Sequence, residues 1–308
     1  MTIRIKNTIL TAILLFASGQ LWSQSNIRPD HYWDNPYYIS PAYINNQYVA
    51  IVSAAARKQW VNVDGAPVTF WLTGAYYSED KHMQVGLKVI QDRIGYTTTG
   101  NISLSYAYAA ILNEDLRLDM GIAGSFQNIS YDLSKITAIN PGDPSFNESF
   151  VNRQQVNGDL GIELTSKIFK LGIACQNIAG WLPSSNTFLP NTNLMYCTYR
   201  LCTSGMIDYN FGISEYNTNH NFQSEIAAMA IVKKREDNNY ISDNFYLGLF
   251  YRFRYELGAT LGMYLGSSVS ISYSYNYNTS ALKYNAAGTH ELILSYRFRP
   301  KPVCHSCY

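Results

Sequence analysis

The stretch SSVSISYSYNYN, residues 267–278, sets Val269, Ile271, Tyr273, Tyr275 and Tyr277 at every second position, with Ser or Asn at every even position. Alternation of this kind makes a strand with two unlike faces, because successive side chains of an extended chain point to opposite sides. A water-soluble sheet would turn the apolar face into a core. A membrane barrel would turn it to lipid and line its interior with the small polar face. The pattern recurs in NISLSYAYAAIL (101–112), DLRLDMGIAGSFQNISY (115–131), FYLGLFYRFRY (245–255) and HELILSYRF (290–298). These runs exceed the usual five or six residues of a soluble strand and match the 9–11 or more that cross a bilayer at a tilt. Opposite the apolar positions stand Gly, Ser, Asn and charged residues, which a dry core would not accept without partners. The apolar faces are therefore expected to meet lipid.

The leader supports export. In MTIRIKNTILTAILLFASGQLWSQSN, Arg4 and Lys6 precede a short apolar run around Ile9 to Phe16, and Ser23 stands at a cleavage position before Gln24. That is the pattern of a secretory signal. No later apolar run approaches the roughly 20 residues of a spanning helix. A mature membrane protein of this kind must cross as a closed barrel. Cutting at turn signals predicts a transmembrane antiparallel β-barrel of about fourteen strands, with twelve or sixteen also open. The expected spans are 48–57, 66–78, 82–92, 97–112, 115–131, 153–166, 167–177, 190–203, 204–215, 220–233, 242–254, 256–266, 268–278 and 287–298. The organisation is a signal peptide (1–23), a periplasmic or plug segment (24–46), the barrel (47–298) and a short periplasmic tail (299–308). Short turns at 78–81, 113–115, 166–167, 203–205 and 266–268 are assigned to the periplasmic side; an even strand count puts both termini there. The long 233–243 connection on that side and the short one near 254–256 on the other depart from this rule.

Composition narrows the function. The net charge is +1 with 15% charged residues, which argues against nucleic-acid binding. Tyrosine leads the aromatics, 26 against 13 Phe and 5 Trp, as suits a lipid–water interface. The five histidines, including His220 in the NTNHN loop, form no metal-ligand spacing, and no nucleophile or nucleotide motif is present. No catalytic residue, cofactor or metal is expected. Cys304 and Cys307, in the closing C-H-S-C, can pair as a disulfide in an oxidising compartment or remain thiols. Cys175, Cys197 and Cys202 fall within predicted strands and read as buried or lipid-facing thiols.

Three stretches are not explained by strand periodicity. NPYYISPAYIN (35–45) packs two prolines and three tyrosines ahead of the first strand. RKQW (57–60) is followed by GAPVT (65–69), and QDRIG (91–95) places Asp92 and Gly95 in an expected tight loop. Asn35, Pro36, Pro41, Ala42 and Tyr43, then Arg57, Gln59, Trp60, Gly65, Pro67 and Thr69, then Asp92, Gly95 and Tyr106-Ala107-Tyr108 occur in this order. Together they resemble the PorP/SprF family, membrane components of the type IX secretion system of Bacteroidota. GDPSF (142–146) and the closing HELILSYRF are similar to that family too; Asn45, where the family often has Gly, is a departure. The resemblance implies a non-enzymatic outer-membrane barrel that supports secretion or surface attachment of partner proteins such as gliding adhesins. Its implied partners are outer-membrane lipid, a secreted cargo protein and the periplasmic ring of that system. A channel for small or hydrophobic solutes is the alternative. Arg57, Gln59, Trp60, Gly65, Pro67, Thr69, Asp92 and Gly95 are candidates for a partner surface or lumen clamp. Alternatively, Arg57 braces the barrel against Asp92 or Asp119 across the lumen.

Overall fold

The structure, a computed structural model, describes residues 28–30, 32–132, 152–181, 187–218, 221–235 and 241–300. The first seven strands are β1 (Tyr48–Lys58), β2 (Val68–Ser78), β3 (Met83–Ile94), β4 (Thr97–Ile111), β5 (Leu116–Tyr131), β6 (Asn152–Ser166) and β7 (Phe169–Gln176). The second seven are β8 (Thr192–Leu201), β9 (Ile207–Thr218), β10 (Asn221–Arg235), β11 (Ile241–Arg252), β12 (Glu256–Leu265), β13 (Val269–Asn278) and β14 (Thr289–Pro300). Each pairs with its sequence neighbours, and β14 closes on β1, giving a fourteen-stranded antiparallel barrel. Closure leaves no free edge, the condition for β-structure in lipid.

Alternation sets the two faces as expected. Outward residues are bare, with Leu104 67% and Leu249 63% exposed, whereas inward Ser274 and Glu291 are fully buried. In residues 267–278 the tyrosines point out and Ser272, Ser274 and Asn276 point in. Inward glycines receive rings from the neighbouring strand: Tyr196 lies over Gly172, Phe250 over Gly258 and Tyr246 over Gly262. The rings fill space that a Cβ would otherwise occupy.

Three expectations need correction. Asp92 is an inward residue within β3, which continues to Ile94, so the tight turn begins only at Gly95. β10 and β11 extend toward each other around a bulge at Val232/Lys233, so much of the apparent 233–243 loop is strand. Among the cysteines, Cys175 and Cys197 are free, but Cys202 carries a disulfide rather than a thiol. Cys304, Cys307 and His220 lie outside the described residues, as does the expected signal peptide.

The outward face yields a direct prediction. Leu104 lies mid-strand on β4, so Leu104→Arg should cost about 2–4 kcal/mol of barrel stability in lipid. Denaturant unfolding from vesicles measures this; an unchanged midpoint would mean that this face does not sit in hydrocarbon.

Candidate functional site

The chain ahead of β1 runs through the barrel. Tyr32, Ile39, Ala42 and Ile44 are almost completely buried; Tyr32, Ile39 and Ile44 cluster with inward side chains of the wall, and Ala42 lies against Gly121 and Gly161. The rim where β1 begins is called the near rim, and the rim where it ends the far rim. Arg28 and Asp30 lie toward the far rim; the segment then descends to Asn45 and Gln47 at the near rim.

Irregular backbone inside a lumen is tolerated only if its polar groups find partners. The wall supplies them. Lys88 Nζ donates to the Tyr38 carbonyl (3.2 Å), Gln176 Nε2 to Ile39 (3.0 Å), Gln84 Nε2 to Tyr43 (2.6 Å) and Arg117 Nη2 to Ile44 (3.0 Å). Asn35 Nδ2 donates to Thr73 Oγ1 at 2.9 Å, and Tyr246 donates its hydroxyl to Asp34. Tyr37 shares a 2.7 Å hydrogen bond with Ser105. Burial pushes the Tyr37 hydroxyl up to about 12, against the opposing pull of Ser105, so it stays neutral in the lumen.

Two of the prolines of this segment, Pro36 and Pro41, have local reasons. Pro36 begins a 3-10 turn (Pro36–Tyr38), where a missing N–H costs nothing. Pro41 and Ala42 pass so close to the wall that only glycine fits opposite. A Cβ on Gly121 would meet the Pro41 carbonyl at 2.3 Å, and one on Gly161 would stand 3.1 Å from the Ala42 Cβ.

An ion network ties the upper part of the plug to the wall. Arg57 on β1 meets Asp30 at 3.0 Å and Glu291 on β14 at 3.3 Å. Glu291 also accepts the backbone N–H of Asp30 at 2.9 Å, and Ser274 on β13 donates to Asp30 at 3.2 Å. Arg252 on β11 meets Glu225 on β10 (2.9 Å), Glu256 on β12 (2.6 Å) and, at 3.6 Å, Asp30. Arg28 meets Glu225 at 3.2 Å, donates to Ser214 and Gln223, and lies 4.1 Å from the Tyr216 ring centroid. Three guanidiniums and four carboxylates are thus enclosed, each nearly or fully buried.

Desolvating each ion costs several kcal/mol, so such a network adds little net stability over an apolar filling. Its effect is on position. Asp30 and Arg28 are compensated in one seating of the plug and would be bare charges in any other.

The sequence motifs fall on this level. Strand register places Glu291, Arg57, Thr69 and Asp92 side by side on β14, β1, β2 and β3. Thr69 donates to Asp92 at 2.6 Å. Arg57 is not held by Asp92 or Asp119 as expected for a brace; Asp119 belongs to a separate cluster with Arg117, Thr165 and Glu163 near the other rim. The motif glycines meet each other in turns with positive φ, the Gly95 N–H donating to the Gly65 carbonyl at 2.8 Å. The Gln59 N–H donates to the Pro67 carbonyl at 3.0 Å, and Trp60 turns back with φ 45°. Tyr43 lies under Lys170, whose Nζ is 4.5 Å from its ring centroid.

Sequence patterning does not single out Arg28, Asp30, Glu225, Arg252 or Glu256 as members of the site. Arg252 and Glu291 are visible there only as charges on the polar side of alternating runs. Among the described residues no group of His, Cys, Asp and Glu is arranged to hold a metal.

The plug divides the lumen into two chambers. The far one, about 940 Å³, has Arg28 and Tyr38 in its floor and Gln59, Trp60 and Pro67 along its lip. The near one, about 330 Å³, lies under Trp33, Pro36 and Tyr37 and is lined by Arg200, Tyr264 and Arg297. A sequence profile for "Type IX secretion system membrane protein PorP/SprF" matches residues 23–296. The chain belongs to the PorP/SprF family. As a PorP/SprF barrel it resides in the outer membrane, its tyrosine- and leucine-rich face against lipid. No curated protein sequence matches it. Among solved structures it is similar to the toluene transporter TbuX of Ralstonia pickettii, at 10% identity and TM-score 0.49, over 91% of this chain and 96% of that one. It is also similar to Omp33 of Acinetobacter baumannii, at 10% identity and TM-score 0.48, over 82% and 98% of the two chains.

Proposed function

We propose that this PorP/SprF chain is a plugged, non-enzymatic docking barrel. It holds exported proteins at the outer membrane and meets the periplasmic ring of the type IX system at its near rim. The observation that carries this reading is the seating of residues 28–30 and 32–45 in the lumen. A conduit needs a path, whereas here the chain's own N-terminal segment fills the bore and is compensated charge by charge. The near rim, with its short turns, faces the periplasm; the far rim, with the longer 59–67, 177–191 and 279–288 connections, faces outward. The candidate residues Gln59, Trp60 and Pro67 then stand at the outer mouth, where an exported partner arrives.

Affinity purification from native outer membranes tests this reading. Recovery of a secreted surface protein or of ring subunits with the barrel is the expected result. In parallel, the purified chain in liposomes should pass neither ions nor small solutes. A clean monomer that conducts solute would replace docking with the channel alternative.

A further inference from the structure

Inward apolar side chains of the wall, such as Trp71, Leu194, Tyr196 and Ile293, are mostly buried in a cluster with plug residues Tyr32, Tyr38 and Ile39, among polar neighbours such as Gln127 and Glu163. At the far mouth β3 and β5 instead carry inward apolar side chains that are partly or largely exposed. Ile90 and Ile94 share the inward side of β3 with Asp92, and Ile129 and Tyr131 share that of β5 with Gln127. Ile94 is 51% and Tyr131 36% exposed, and both line the far chamber rather than the lipid face. Phe188, from the connection after β7, joins the same wall. The facing wall is charged and polar, with Arg252, Glu256 and Asn278, and Arg28 of the plug lies in the floor beside it. Asn278 is 2% exposed, and its Nδ2 finds no acceptor.

Apolar groups left open at the mouth of the lumen forgo about 25 cal/mol for each Å² that an occupant could cover. We propose that the far chamber receives an extended segment of the exported partner polypeptide. Its apolar side chains lie on Ile94, Ile129 and Tyr131. Its backbone carbonyls and amides meet Asn278, Gln59, Asn101 and the other amides of the lining. This deepens the docking reading and rests on it.

Two features favour a polypeptide over an acyl chain or hydrocarbon. The lining spreads amide and hydroxyl groups beside the apolar strip, and an apolar guest would bury them without partners, at roughly 1–3 kcal/mol each. An extended peptide brings a donor or acceptor at each residue. The chamber is also closed below by the plug, so an occupant enters and leaves by one mouth and is bound rather than passed on.

The experiment uses the purified full chain in nanodiscs and two fluorescent probes: a dansylated decapeptide alternating Phe or Ile with Ser or Thr, and dansylated hexadecanoic acid. The decapeptide should bind saturably and outcompete the acyl probe. Ile129→Asp and Ile94→Asp should each weaken decapeptide binding at least tenfold, with heat-modifiable gel mobility confirming a folded barrel. Because Ile94 is already half exposed at a strand end, it serves where Ile129→Asp disturbs folding. Tighter binding of the acyl probe, no binding of the decapeptide, or equal binding by the folded variants would overturn the assignment. A chain that still recovers its partner from membranes while binding no peptide keeps the docking reading and loses this one.

Discussion

Arg57→Ala is expected to leave the barrel inserted and to unseat its plug, at a cost of about 3–5 kcal/mol to the seated state. The guanidinium bridges Asp30 on the plug and Glu291 on the wall, both fully buried. Deleting it leaves two carboxylates facing each other in a place chosen for their neutralisation. Arg252, 3.6 Å from Asp30 and already shared with Glu225 and Glu256, is too far committed to replace it. The barrel itself has another source of stability, its closed ladder and lipid-facing surface, so the loss should fall on the one element that can move away. Hydrogen exchange of residues 28–47 should rise steeply, and ion conductance should appear in planar bilayers. Glu291→Gln in the same chain should recover part of the loss, since it removes one of the stranded charges; the double-mutant cycle then reports the coupling. A variant that fails to insert, with plug and wall lost together, would assign Arg57 to bracing of the strands instead.

Gly121→Val should unseat the plug by a steric route that involves no charge. The new Cβ would meet the carbonyl carbon and oxygen of Pro41 at 2.3 Å and the nitrogen of Ala42 at 2.4 Å. These are backbone atoms, so no rotamer change relieves the contact; the whole segment must lift. Overpacking usually costs about 1–3 kcal/mol, and a backbone obstacle puts this site at the upper end or beyond. Gly124, on the outward side of the same strand, supplies the control, because a Cβ added there would have nothing within 4 Å. Gly124→Val should leave plug protection unchanged, since a β-branched residue suits a lipid-facing strand. Limited proteolysis of the plug separates the two variants, and equal cleavage in both would mean that Pro41 and Ala42 do not depend on the bare wall at Gly121.

The two substitutions address different halves of one device. Arg57 acts through the far end of the plug, where compensation of charge selects its seating. Gly121 acts through the Pro41–Ala42 bend, where lack of side-chain volume permits it. Conductance gained by either route would show that the plug, rather than a narrow bore, closes the barrel.

Much of the wall is legible without coordinates. Val269 to Tyr277, Ile102 to Tyr108 and Leu292 to Phe298 announce their orientation because a strand repeats every two residues, so one apolar residue places all its neighbours. The motif residues are also visible, but not what they touch. Asp92 reads as part of a loop because Gly95 follows it so closely, although β3 carries it inward before the turn begins. Sequence reasoning pairs Arg57 with Asp92 or Asp119, the carboxylates of the strands it can see, and has no means of choosing the plug instead. Asp30 lies in a stretch with no periodicity from which to argue a direction.

By itself, then, the order of residues determined a closed antiparallel wall, its fourteen-strand scale and the side of each strand that meets lipid, because alternation is a local property of an extended chain. Only the tertiary structure decided that residues 28–30 and 32–45 occupy the bore and that Arg57 joins Asp30 to Glu291, partners drawn from opposite ends of the chain. Ring closure brings β14 beside β1, and the path of an irregular segment through the lumen depends on contacts with many strands at once; neither is encoded in any short window of sequence.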